Sequence, residues 1–230
     1  MWLLLAGGVA ALSWWITGLL VSKASLLLSI DHPTDRSLHT KPTPRSGGLA
    51  ILATVLIGLG VAALGFAVVS PSTGFLPKGF ASASVWIVGS IALVTTVSFL
   101  DDRRGLAVGL RFAVQAIAAG IVVWGVGLTL PSIPIPGIKT IELGWFAAPV
   151  SLLFLLWMTN LYNFMDGMDG FAGGMTVLGF GFLAYFGWRA ELPFMLLTAT
   201  IVSMSALGFL VHNFPPARIF MGDVGSISLG

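Results

Sequence analysis

Residues 82–106 read SASVWIVGSIALVTTVSFLDDRRGL. Positions 82–100 carry no charge, and then two acids and two bases arrive together. An uncharged apolar run of about 20 residues has the length of a bilayer-spanning helix. The whole chain agrees with this reading. Only 9% of its 230 residues are charged and 57% are hydrophobic, and mean hydropathy is +0.98. A typical soluble domain carries roughly 25% charged residues. So few charges cannot cover a water-soluble globule of this size. A disordered tail, a nucleic-acid binder and a soluble metabolic enzyme are all poor fits. The isoelectric point of 9.3 rests on an excess of two charges over a sparse set. Cys is absent, which removes a thiolate nucleophile, a CxxC pair, a disulfide and an iron–sulfur centre from consideration. The fold class is all-α, a polytopic transmembrane helix bundle.

Further apolar runs lie on both sides of this one. The first covers Trp2 to Val21 and is followed by Lys23. A secretory signal would place its charge before the apolar stretch, so this run is a true span. The others cover Gly48 to Val69, Val108 to Gly127, Trp145 to Thr159 with an extension towards Leu161, Phe171 to Gly187, and Leu192 to Val211. An eighth span starts near Ser226, and the sequence stops inside it. We therefore expect one transmembrane catalytic domain over 1–230, truncated at its C-terminus, with seven spans and the start of an eighth. The segment 128–142, LTLPSIPIPGIKTIE, has the prolines, glycine and short alternating stretches of a small β-hairpin at the membrane surface.

Alternation of seven spans sorts the loops. One side receives Lys23, Arg36, Lys41, Arg45, Arg103, Arg104 and Arg218, and the other receives Lys78, Lys139 and Arg189. The positive-inside rule makes the first side cytoplasmic and puts the N-terminus outside, with the hairpin in the periplasm. All seven Asp (31, 35, 101, 102, 166, 169 and 223) and all three His (32, 39 and 212) fall on that same side. Both Glu, 142 and 191, fall on the other. The positive-inside rule does not ask for this. One cytoplasmic site assembled from four loops would.

Asp101 and Asp102 end an apolar run, where carboxylates are costly and default to functional candidates. Neighbours on a helix diverge by about 100°, so the two need not share a task. The bland alternative is a helix terminator neutralised by Arg103 and Arg104. Asn160, Asn163, Asp166 and Asp169 recur every three residues in NLYNFMDGMDGFAGG (160–174). That spacing keeps polar groups on nearby faces of a helical end, and the interleaved glycines permit tight turns or close approach to a ligand. Asp223 sits in RIFMGDVGSIS with Ser226 as an N-cap candidate. Its turn is suited to presenting backbone N–H groups to phosphate and a carboxylate to Mg²⁺. In DHPTDRSLHTKPTPRSGG (31–48), Lys41 and Arg45 are phosphate-ligand candidates, Pro42 and Pro44 stiffen their placement, and His39 is a candidate donor to substrate. A solvated cluster of topogenic charges is the plain alternative for this loop. Zinc hydrolysis does not fit, because HExxH and a dense His set are both missing. Hard oxygen ligands suit Mg²⁺, which in turn suits a diphosphate substrate. A transporter would instead place its acids near the bilayer midplane.

With these motifs in view, the chain resembles the polyprenyl-phosphate N-acetylhexosamine-1-phosphate transferases (glycosyltransferase family 4). The resemblance rests on HTKPTPRSGG (39–48), FLDDRRGL (99–106), NLYNFMDGMDGFAGG (160–174) and FMGDVGS (220–226), in family order. PTPRSGG with DDRRGL looks more like the branch that starts O-antigen and teichoic-acid chains than the branch that makes lipid I of peptidoglycan. The resemblance implies a bundle of about ten or eleven helices, often a homodimer, in the bacterial inner membrane with its active site open to the cytoplasm. It implies transfer of GlcNAc-1-phosphate, or a 6-deoxy relative such as FucNAc or QuiNAc, from a UDP-sugar to undecaprenyl phosphate, with UMP leaving. The implied cofactor is Mg²⁺, with Mn²⁺ as a substitute. Asp223 is then a metal ligand, Asp102 supports the metal or the donor, and Asp101 lies near the attacking lipid phosphate. Asn160, Asn163, Asp166 and Asp169 are on the donor side, and Lys41, Arg45 and His39 contact phosphate or nucleotide. A late loop carrying a histidine motif, usual in the family, has no counterpart within 1–230.

Overall fold

The computed structural model describes residues 2–22, 30–31, 42–69 and 80–230. Seven of its helices are long and apolar enough to cross a membrane. They are α1 (Trp2–Ser22), α2 (Gly47–Val69), α3 (Phe80–Arg104), α4 (Val108–Gly120, continued as a π-helix over Ile121–Val126), α5 (Ala147–Met165), α6 (Phe171–Arg189) and α7 (Pro193–Asn213). An eight-residue helix, α8 (Gly222–Leu229), follows. Two strands, β1 (Ile30–Asp31) and β2 (Thr43–Pro44), pair antiparallel before α2. Between α4 and α5, β3 (Ser132–Ile135) and β4 (Lys139–Glu142) form the expected hairpin.

The helices group into two packed sets. In one, α7 lies against α6, α1 and α2; in the other, α8 lies against α3 and α5, with α4 beside both of these. Contact between α2 and α8 joins the sets. Lipid tails are as apolar as the helices, so close backbone packing and interhelical hydrogen bonds hold such a bundle together. Ser13 Oγ donates to the Ser205 carbonyl at 2.6 Å, tying α1 to α7, and Ser203 Oγ donates to the Val177 carbonyl at 2.9 Å, tying α7 to α6. Where α1 crosses α7, a Cβ on Gly208 would meet the Ala10 carbonyl and stand 2.7 Å from the Trp14 nitrogen. Ile51, Phe209, Ile219 and Met221 form a buried apolar cluster directly under the α2–α8 junction.

Two expectations about element ends need correction. The span expected to end at Leu100 continues as helix through the charges at 101–104, which form the last turn of α3; it closes at Gly105 with φ +63° and its N–H on the Asp101 carbonyl at 2.9 Å. Arg103 and Arg104 there oppose the negative end of the helix dipole, and only Gly takes that φ without strain. Ser226 is not an N-cap. α8 already begins at Gly222, and Ser226 Oγ donates back to the Gly222 carbonyl at 3.1 Å from inside the helix.

Candidate active site

The end of α3 and the start of α4 meet through Asp101. Its Oδ1 accepts the Leu106 N–H at 2.6 Å, which fixes the reversal between the helices. Its Oδ2 accepts from Arg111 on α4 at 2.8 Å. The Asp101 side chain is only 8% exposed, so the guanidinium supplies both the counter-charge and the hydrogen bond that a buried carboxylate needs. The same Arg111 nitrogen lies 3.6 Å from Asp223 Oδ2 on α8.

The PRSGG and FMGD segments, distant in sequence, are stitched together by backbone. Phe220 N–H donates to the Pro44 carbonyl at 2.8 Å, Gly47 N–H to the Phe220 carbonyl at 2.9 Å, and Gly48 N–H to the Met221 carbonyl at 2.8 Å. Side chains are excluded here. A Cβ on Gly48 would collide with the Gly225 backbone, and one on Gly222, at φ +74°, would stand 2.6 Å from the Arg45 carbonyl. Glycine is thus required on both faces of the contact.

The first turn of α8 is then ringed by carboxylates. Gly222 N–H donates to Asp166 Oδ2 at 3.1 Å, and the Asp223 N–H donates to Asp102. Acidic groups at a helix N-terminus are favourable, but these two N–H groups are thereby committed. From α5, Asn163 Nδ2 donates to Asp223 Oδ1 at 2.9 Å and to Ser226 Oγ at 3.0 Å. Burial, with Asp223 and Asp102 close by, pushes Asp166 up to about 8; the Gly222 N–H and the Arg45 charge act in the opposite sense.

Loop 214–221 is held separately. Asn213 Oδ1 accepts the Gly170 N–H at 3.0 Å while its Nδ2 donates to the Ile219 carbonyl at 2.9 Å. Asp169 Oδ2 accepts the Ala217 N–H at 2.9 Å. Arg218 donates to His212 Nδ1 at 2.9 Å, which leaves the ring proton on Nε2 for the Trp14 carbonyl at 3.1 Å.

Of the sequence-predicted residues, Asp101, Asp102, Asn163, Asp166 and Asp223 come together. Arg45 stands at the rim, 3.2 Å from Asp31. Asp169 holds the loop, and Asn160 donates to Gln115 on α4 at 2.8 Å, one turn deeper along α5 than Asn163. His39 and Lys41 lie outside the described residues. Arg111 is absent from the sequence-predicted residues, yet it pairs with both Asp101 and Asp223. A cation inside an apolar segment was itself the signal. Among the described residues, no three His, Cys, Asp or Glu are placed to hold a metal ion by themselves. That still fits Mg²⁺, which keeps several waters and uses one or two carboxylates plus substrate phosphates. Asp102 and Asp223 are the hard-oxygen pair available, and a cation there would offset the smaller part of the rise at Asp166 that their charges add to burial.

Comparison with known proteins points the same way. The model of the family described as "Glycosyl transferase family 4" matches residues 82–230. A probable undecaprenyl-phosphate N-acetylglucosaminyl 1-phosphate transferase of Bacillus subtilis (strain 168) is 34% identical over 88% of the chain and 52% of its own length. A decaprenyl-phosphate N-acetylglucosaminephosphotransferase of Mycobacterium leprae (strain TN) is 35% identical, over 96% of the chain and 56% of its own length. A phospho-N-acetylmuramoyl-pentapeptide-transferase of Synechococcus sp. (strain JA-3-3Ab) is 37% identical, over 85% and 55% respectively. The chain spans about half the length of these relatives.

Proposed function

The chain belongs to glycosyl transferase family 4, and from that premise we propose that it carries the aspartate site of a polyprenyl-phosphate sugar-1-phosphate transferase. A phosphate oxygen of undecaprenyl phosphate attacks the sugar-bearing phosphorus of a UDP-HexNAc. The bond from that phosphorus to the bridging oxygen breaks, UMP leaves with the oxygen, and the sugar diphosphate stays on the lipid. The observation that carries this reading is the convergence of three separated motifs on the fourth, at the start of α8, through Asp102, Asn163, Asp166 and the backbone of 44–48.

The lipid phosphate has a second pKa around 6 and is already largely ionised at neutral pH. Asp101 therefore needs no proton to remove; bound to Arg111, it positions the attacking oxygen. Arg111, a third exposed, has further donors to offer an incoming phosphate. Asp223 and Asp102 would hold Mg²⁺, whose chemistry when bound is to spread charge on the donor diphosphate. Asn163 and Asp166 keep Asp223 in place. Asn160, Asp169, Lys41, Arg45 and His39 stay assigned to the donor's nucleotide, sugar and phosphates. The site faces the cytoplasm, and the assembly is a homodimer.

PTPRSGG and DDRRGL favour a GlcNAc or 6-deoxy-HexNAc donor over the lipid I precursor. The protein, given undecaprenyl phosphate, Mg²⁺ and a UDP-HexNAc, should release UMP. Release with UDP-N-acetylmuramoyl-pentapeptide alone would move the assignment to the lipid I branch. No release with any donor, alongside ion-coupled solute uptake, would replace the enzyme with a transporter.

Orientation has its own test, because the 230 residues contain no Cys. A Cys at Ser132 should react with an impermeant thiol reagent in intact cells, and one at Ser37 only after permeabilisation. Reversed labelling would undo the single cytoplasmic site.

A further inference from the structure

The hairpin between α4 and α5 has two unlike faces. Its register pairs Ser132 with Glu142, Ile133 with Ile141, Pro134 with Thr140 and Ile135 with Lys139. Directly paired residues share a face and successive residues alternate. One face therefore carries Ile133, Ile135, Ile141 and, at the turn end, Lys139; the other carries Ser132, Pro134, Thr140 and Glu142. At the tip, Gly137 turns the chain at φ +79°, and Ile138 is 76% exposed. Ile133 and Ile141 are exposed as well. A Leu130 N–H on Ser151 Oγ at 2.7 Å ties the hairpin base to α5.

The surroundings say what covers this face. α4 leaves the aspartate end at Val108 and runs to Val126, so the hairpin sits at the opposite end of the spans. The aromatic residues Trp86, Trp124, Trp145 and Trp188 are exposed at that same end of α3, α4, α5 and α6. Such a ring of Trp marks the membrane–water interface. Both arms of the hairpin enter spans within a few residues of it, which holds the hairpin at that level. Pro134 removes a donor from β3 and disfavours addition of a partner strand there.

We propose that this hairpin is an interfacial membrane anchor. The Ile133, Ile135 and Ile141 face and the Ile138 tip lie in the boundary between lipid headgroups and acyl chains. Lys139 reaches out from its apolar stem to the headgroups, and the Thr140 face stays in water. The anchor joins the two helices that carry Arg111 and Asn163, and so fixes their depth. The inference rests on the span reading and not on the proposed chemistry.

The test places single cysteines at Ile133, Ile141 and Thr140 of the protein, each bearing an environment-sensitive fluorophore, in phosphatidylcholine–phosphatidylglycerol vesicles. Quenching by lipids with a nitroxide near the glycerol end of the chain should be roughly twofold or more stronger at 133 and 141 than at 140. Aqueous iodide should show the reverse order. A Cys at Ile138 gives the same readout if the strand substitutions disturb the hairpin. Equal iodide access at 140 and 141 would overturn the anchor. Protection of 133 and 141 from both quenchers would also overturn it, and would put a protein partner or a second copy on this face.

Discussion

Asp223→Asn should reduce turnover on the order of 10²–10³-fold, because metal stabilisation of a developing phosphoryl charge is worth several kcal/mol. The substitution preserves the size of the side chain and an oxygen that can still accept from Asn163. Arg111 loses a 3.6 Å ionic contact and keeps its 2.8 Å bond to Asp101. The metal-free thermal midpoint should therefore hardly move. Mg²⁺ should raise the midpoint of the parent by mass action on the folded state and raise that of the variant much less. Near-parent turnover with an unchanged Mg²⁺ response would remove Asp223 as a ligand and pass the assignment to Asp101 and Asp102.

Gly48→Ala should be nearly as damaging to activity, for a different reason. The new methyl group would collide with the Gly225 backbone, where α2 crosses α8. Relief requires the two helices to separate, which strains the Gly47 and Gly48 bonds to the 220–221 carbonyls. Overpacking of this kind costs about 1–3 kcal/mol, so the thermal midpoint should fall along with the rate. Gly60 on the same helix has open space around its Cβ position. Gly60→Ala is the matched control and should leave both quantities close to the parent's. A Gly48→Ala protein with parent-like activity would mean that the α2–α8 contact does not position the site.

These two residues also illustrate what the sequence could and could not reveal. The spans were legible because length and apolarity alone define a bilayer helix. The aspartates were legible because a carboxylate beside hydrocarbon needs a reason. The ends of helices were less so. The apolar run stops at Leu100, but backbone hydrogen bonding continues through Arg104, and Gly105 was the overlooked stop signal. Ser226 resembled a cap because capping and interior back-bonding use the same side chain. Arg111 carried a signal of its own, because its neighbours along the chain are uncharged for several residues on either side. The Gly48–Gly225 contact could not have been read at all. Nothing local distinguishes a glycine that admits a neighbouring backbone from one that merely turns.

The central claim is that this site transfers a sugar together with its phosphate. Donor labelled with ³²P in the sugar-bearing phosphate tests it most directly. With the protein, undecaprenyl phosphate and Mg²⁺, the label should pass to the lipid fraction while an equal amount of unlabelled UMP is released. Label remaining water-soluble as UDP, with sugar alone on the lipid, would contradict it.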